Sequence, residues 1–250
     1  MADQRAETAL GISDDLIWVC RSARLTRPAY RFYRDVLLWF ARCGRAPNSA
    51  EVAALARQLG LRLEPTLAQF AALDLMQRDP ATGAIRAAYP FSGPPTAHRV
   101  RLAATSDVPA VEVFAMCAID ALGIPLMLRR ATTITSVDGL TGELVRVAVT
   151  PASVSAGQSE VTAQWEPTKA VVYARPEDHE HEHDCGSEAA GTCCPMTNFF
   201  VSEAHAHRWA TSFPHADGRV YSQDDALRYA ARLFGGVVDR LADPPRPPLT

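Results

Sequence analysis

One apolar run limits what this chain can become. Residues 111–122 are hydrophobic almost throughout, with helical rather than alternating spacing, yet they include Cys117 and Asp120. A buried cysteine alone is unremarkable, because the thiol packs as a small hydrophobe. Asp120 is different. A carboxylate drawn into a core is heavily penalised unless it has a partner or chemical work to do. If the run is helical, the i, i+3 spacing puts sulfur and carboxylate on one face.

A second thiol group lies far away in sequence. Cys193 and Cys194 follow Gly191 and Thr192, which suit a loop, and precede Pro195 and the pair Phe199 and Phe200. Adjacent cysteines resist bridging each other for geometric reasons. In a reducing compartment they are free thiols, metal ligands or nucleophiles, or incidental residues of a loop. Two thiolates and one carboxylate can grip a soft metal ion and pass a proton beside it.

Composition and charge set the frame. With 250 residues, 48% hydrophobic and 21% charged, the chain can build a sizeable core. A net charge of −3 gives no reason to expect nucleic acid or an anionic membrane as the main partner. Residues 1–11 lack a basic start followed by an apolar run, so no secretory signal is expected. No stretch approaches the ~20 apolar residues of a membrane span. The expected compartment is the cytoplasm, where thiols stay reduced and six cysteines do not read as a disulfide framework. Cys20 and Cys43 are scattered, while Cys117, Cys185, Cys193 and Cys194 are placed for chemistry.

Periodicity predicts an α+β chain. Residues 27–45 read as a helix. A second helix runs from the capping pair Asn48 and Glu51 to about Gly60. A third has Pro65 in its first turn and Leu67, Phe70, Ala71 and Met76 as its buried stripe. A turn at 79–83 leads to a strand at 84–89. Helix, helix, helix, hairpin is the order of a winged-helix-like module. Its third helix carries Glu64 and Asp74 and has no cation between Arg62 and Arg78, which argues for a structural role over DNA binding.

Beyond residue 99 the pattern predicts a mixed or antiparallel β-sheet core with flanking helices. Residues 100–102 read as a strand, and 131–136 and 144–149 as a hairpin about Asp138 and Gly139. Further strands are expected at 161–165, 170–174 and 199–201, and helices at 202–212 and 222–241 with Ser222 as cap. The expected division is an extension at 1–26, the module at 27–95, a core at 96–242 and a Pro-rich tail at 243–250. The core carries an insert at 177–190, where His179, His181, His183 and Cys185 alternate with acids. These four are possible accessory metal ligands, against the plainer reading of a solvated loop. His205 and His207 read as surface residues.

At these cysteines the sequence resembles the organomercurial (alkylmercury) lyase family. The segment Phe114-Ala-Met-Cys-Ala-Ile-Asp-Ala-Leu-Gly-Ile-Pro125 is similar to the family's first cysteine motif, and Cys194-Pro-Met-Thr-Asn-Phe-Phe200 to its second. The resemblance spans about residues 31–241. It implies Cys117 and Cys194 as the essential cysteines and mercury ligands, Asp120 as the proton-handling acid, and Cys193 as the alternative thiol. It implies carbon–mercury bond cleavage yielding a hydrocarbon and thiolate-bound Hg(II). It also implies no resident cofactor, product release to external thiols, and mercuric reductase as product acceptor. Two departures stand out: Met116, where some members carry an aromatic, and the His-rich insert. A non-catalytic metal-sequestering or sensing protein on the same scaffold is the alternative. A DNA-binding metal sensor is a third reading, disfavoured by the acidic third helix.

Overall fold

The computed structural model describes residues 24–151, 161–175, 189–213, 218–235 and 237–240. Helix α1 (Arg27–Cys43) starts behind Thr26, whose hydroxyl accepts from the Ala29 N–H at 3.4 Å, with Pro28 in the first turn. Its apolar face carries Phe32, Tyr33, Val36, Leu37 and Phe40, all buried. Phe40 stacks on Phe91 with centroids 5.0 Å apart, and Phe32 on Phe70 at 5.7 Å. Such pairs add about 0.5–1.5 kcal/mol beyond their burial. The helix stops at Gly44, φ 68°, where a Cβ would stand 2.9 Å from the Glu112 carbonyl oxygen. Both the left-handed backbone and the close approach call for glycine there.

Helix α2 (Ser49–Gln58) opens on the expected reciprocal cap of Asn48 and Glu51. Helix α3 (Leu63–Ala72) buries Leu67 and Phe70. The predicted stripe fails at its end: Ala71 is exposed, and Met76 belongs to the next strand. Asp74 ends the helical path, because its φ of 48° turns the chain into the left-handed region. Strands β1 (Met76–Arg78) and β2 (Ile85–Ala88) then pair antiparallel across the 79–83 turn.

These two strands open an eight-stranded antiparallel sheet. It continues through β3 (Phe91–Ser92), β5 (Val111–Ala115), β4 (Arg99–Leu102), β6 (Thr132–Val137), β7 (Leu144–Pro151) and β8 (Val161–Glu166). The hairpin that follows the first three helices therefore belongs to the same sheet as strands β3 to β8. A second antiparallel sheet places β9 (Val171–Ala174) between β10 (Asn198–Phe200) and β11 (Arg219–Tyr221).

The run at 111–122 is not one helix. Its first half is strand β5, hydrogen-bonded to β3 and β4, and its second half begins helix α4 (Ala118–Leu128). Sheet pairing on both edges overrides helical spacing that five residues could satisfy either way. Every residue of α4 from Ala118 to Met127 is buried. The helix touches strands of both sheets and packs on α6 (Gln223–Phe234). That approach depends on Gly123, where a Cβ would lie 2.2 Å from the buried Phe234 ring. Ser222 caps α6 as expected. The helix ends at Gly235, however, and a short α7 (Val237–Arg240) follows. Helix α5 (Glu203–Ala210) follows β10 and packs on the second sheet, with Ser202 as its cap.

Candidate active site

Cys117 occupies the joint between β5 and α4. Its backbone is extended, φ −153°, and it serves as the N-cap of α4, a place usually held by Ser, Thr, Asp or Asn. Its sulfur accepts the Asp120 N–H at 3.4 Å. The cap therefore fixes the thiol and, one turn on, the carboxylate. The Met116 N–H donates to the Pro90 carbonyl at 3.3 Å, holding the strand end just before the thiol.

Cys194 begins a 3-10 turn, Cys194–Met196. The Ala189 carbonyl holds the turn's start, accepting the N–H groups of Thr192, Cys193 and Cys194 at 3.2, 3.0 and 2.9 Å. Downstream, the Ala118 N–H donates to the Thr197 carbonyl at 3.2 Å, joining the two cysteine segments directly. The following strand is anchored from the β6–β7 turn. There the buried Asp138 carboxylate accepts the N–H groups of Leu140, Thr141 and Val201, and meets His205 Nδ1 at 3.0 Å. His205 is thus half-buried and paired rather than a plain surface residue. His207 is exposed, as expected.

Folding brings three of the sequence candidates together. The Cys117 thiol donates to Asp120 Oδ2 at 3.1 Å, and the Cys194 thiol lies 3.8 Å from the same oxygen. The three donor atoms all lie within 4.8 Å of one another. The residues are only 6%, 5% and 8% exposed for Cys117, Asp120 and Cys194. Cys193, half-buried, stands outside this group, and its sulfur accepts from the Thr192 hydroxyl at 3.6 Å. His179, His181, His183 and Cys185 lie outside the described residues, as do Cys20 and the 243–250 tail. A surface cavity of about 340 Å³ lies away from the thiols, among Leu67, Ala71, Met76 and Arg78.

Burial pushes the Cys117 thiol well above its ordinary range, and the Cys194 hydrogen bond and the Asp120 charge push the same way. The Asp120 N–H at the helix N-terminus pulls it down but is outweighed. Cys117 is therefore held as a thiol at neutral pH. Its alkylation rate is expected to keep rising above the pH where an ordinary thiol levels off, and Asp120→Ala should move that profile to lower pH by removing a neighbouring negative charge. Mass spectrometry of alkylated Cys117 across pH measures this; an unshifted profile in the variant would contradict it.

The alkylmercury lyase family profile matches residues 91–235, a stretch that contains both cysteine segments. The chain belongs to the alkylmercury lyase family. It is a lyase of organomercurials. A solved structure described as the mercury-bound form of MerB2 shares the lyase fold at a TM-score of 0.66. It covers 88% of this chain and 97% of its own, at 21% identity, a level at which the likeness speaks for the fold. No match is found among curated proteins. Among the described residues, no helix is long and apolar enough to cross a membrane.

Two groups near the lyase site were missed in the sequence: Asp74 and Tyr89. Asp74 read as an acid on the third helix, yet it is 1% exposed and its carboxylate accepts the Ala189 N–H at 3.1 Å. Nothing local signals a partner 115 residues away.

Proposed function

We propose that Cys117, Cys194 and Asp120 carry out the carbon–mercury cleavage, and that one observation carries this assignment: both sulfurs converge on the same carboxylate oxygen. Mercury(II) is soft and favours thiolate. Burial penalises a free thiolate, but not a thiolate whose proton has been replaced by mercury, so the site favours that exchange.

The steps balance. The organomercurial R–Hg–X meets one thiol, which becomes R–Hg–S as HX leaves. The second thiol passes its proton to Asp120 Oδ2 and its sulfur joins mercury. Two sulfur donors push electron density toward carbon and weaken the R–Hg bond. Asp120 then returns the proton to carbon as the bond breaks, giving R–H, a dithiolate-bound mercuric ion and the original carboxylate. External thiols, or mercuric reductase as acceptor, then remove the ion by ligand exchange, in the cytoplasm and without a resident cofactor.

The chain's first elements are read as a winged-helix-like module with a structural role. Its Arg78 is engaged with Glu64 at 2.8 Å rather than turned to a phosphate. The test is turnover of phenylmercury with excess thiol in D2O. The reading expects catalytic release of benzene carrying one deuterium. Stoichiometric mercury uptake without benzene would contradict it and favour sequestration.

A further inference from the structure

The second cysteine is held from outside the segment that matches the family profile. Asp74 and Tyr89 precede residue 91, yet both reach the turn that carries Cys194. Asp74 Oδ2 accepts the Ala189 N–H at 3.1 Å, and the Tyr89 hydroxyl accepts the Ala190 N–H at 2.8 Å. The same hydroxyl donates to Asp74 Oδ1 at 3.3 Å, and Gln77 Nε2 donates to that oxygen at 2.9 Å. The Ala189 carbonyl, on the other side of the residue Asp74 grips, accepts the N–H groups of Cys193 and Cys194.

Tyr89 is itself pinned. Its carbonyl accepts the Tyr33 hydroxyl at 2.6 Å, and its N–H donates to the Leu75 carbonyl. The next residue, Pro90, accepts the Met116 N–H beside Cys117. One short segment of the N-terminal part thus contacts the supports of both thiols. Burial, with the Asp74 charge next, pushes the Tyr89 phenol far up, so it stays a proton donor to that carboxylate.

We propose that Asp74 and Tyr89 are positioning residues of the lyase, and that they set the placement of Cys194 against Cys117 by clamping Ala189 and Ala190. This rests on Cys194 being the second mercury ligand. The N-terminal helices and β1–β2 are then a working part of the site, because the clamp's carboxylate sits where α3 hands over to β1.

Asp74→Asn and Tyr89→Phe in the full chain test this. Asn tolerates the left-handed backbone at 74 and removes the charge; Phe keeps the ring and removes only the oxygen. Each variant should raise the alkylation rate of Cys194 roughly tenfold or more, the scale of one charge-assisted hydrogen bond. The rate at Cys117 should stay unchanged, and mercury affinity should fall by about 10–100-fold, as for other outer-shell partners of a metal site. Glu64→Gln, which breaks a surface ion pair on the same part of the chain, should leave both thiol rates alone. An unchanged Cys194 rate in both variants overturns the proposal. So does an equal rise at Cys117, which would mean general loosening. The alkylation result does not depend on hydrocarbon release, so failure of the lyase assignment would show separately in the phenylmercury assay.

Discussion

Asp120→Ala is expected to cut hydrocarbon release by about 10²–10⁴-fold, the range of a single general acid, while the protein still takes up one mercuric ion. The carboxylate has two tasks in this account. It receives a thiol proton, for which its Oδ2 is already 3.1 Å from the Cys117 sulfur, and it delivers that proton to carbon. Mercury binding needs the two sulfurs, which the substitution leaves in place. Removing the charge should even ease thiolate formation at Cys117, since Asp120 is one of the groups holding that thiol protonated. A slow step with intact or tighter binding separates proton delivery from coordination. Measuring benzene from phenylmercury beside mercury stoichiometry gives both numbers. Turnover at the parental rate would remove Asp120 from the reaction.

The second large effect separates two neighbours. Cys194→Ser should abolish turnover, and should weaken mercury binding by roughly a hundredfold or more, since even outer-shell losses reach the lower end of that scale. A hydroxyl is a hard donor and a poor substitute for thiolate toward mercury. Cys193→Ser should leave turnover near the parental rate. Its sulfur is engaged with the Thr192 hydroxyl and stands apart from the Asp120 oxygen that both other thiols approach. The reverse pattern, with Cys193 essential and Cys194 dispensable, would show that the turn rearranges when mercury arrives.

Much of this was legible in the chain because the informative residues act locally. The cap at Asn48 and Glu51, the hairpin about Asp138 and the cap at Ser222 are short-range devices, and each forms where the pattern predicts it. Asp120 drew notice because a carboxylate in an apolar run needs a reason, and two thiols on one of its oxygens supply one. Spacing misleads at residues 111–115 because a short apolar segment has no period of its own; pairing with β3 and β4 decides it, and those partners are remote. Asp74 and His205 mislead for a related cause. An acid after a helix and a histidine on an outer helix both look solvated until a distant N–H or carboxylate is placed against them.

The most direct measurement is X-ray absorption at the mercury edge on the mercuric complexes of the parent protein, Cys193→Ser and Cys194→Ser, each formed with one equivalent of Hg(II) and without added thiol. Two protein sulfurs on mercury in the parent and in Cys193→Ser, falling to one in Cys194→Ser, is the predicted result. Two sulfurs persisting in Cys194→Ser would contradict the pairing of Cys117 with Cys194 at the centre of the site.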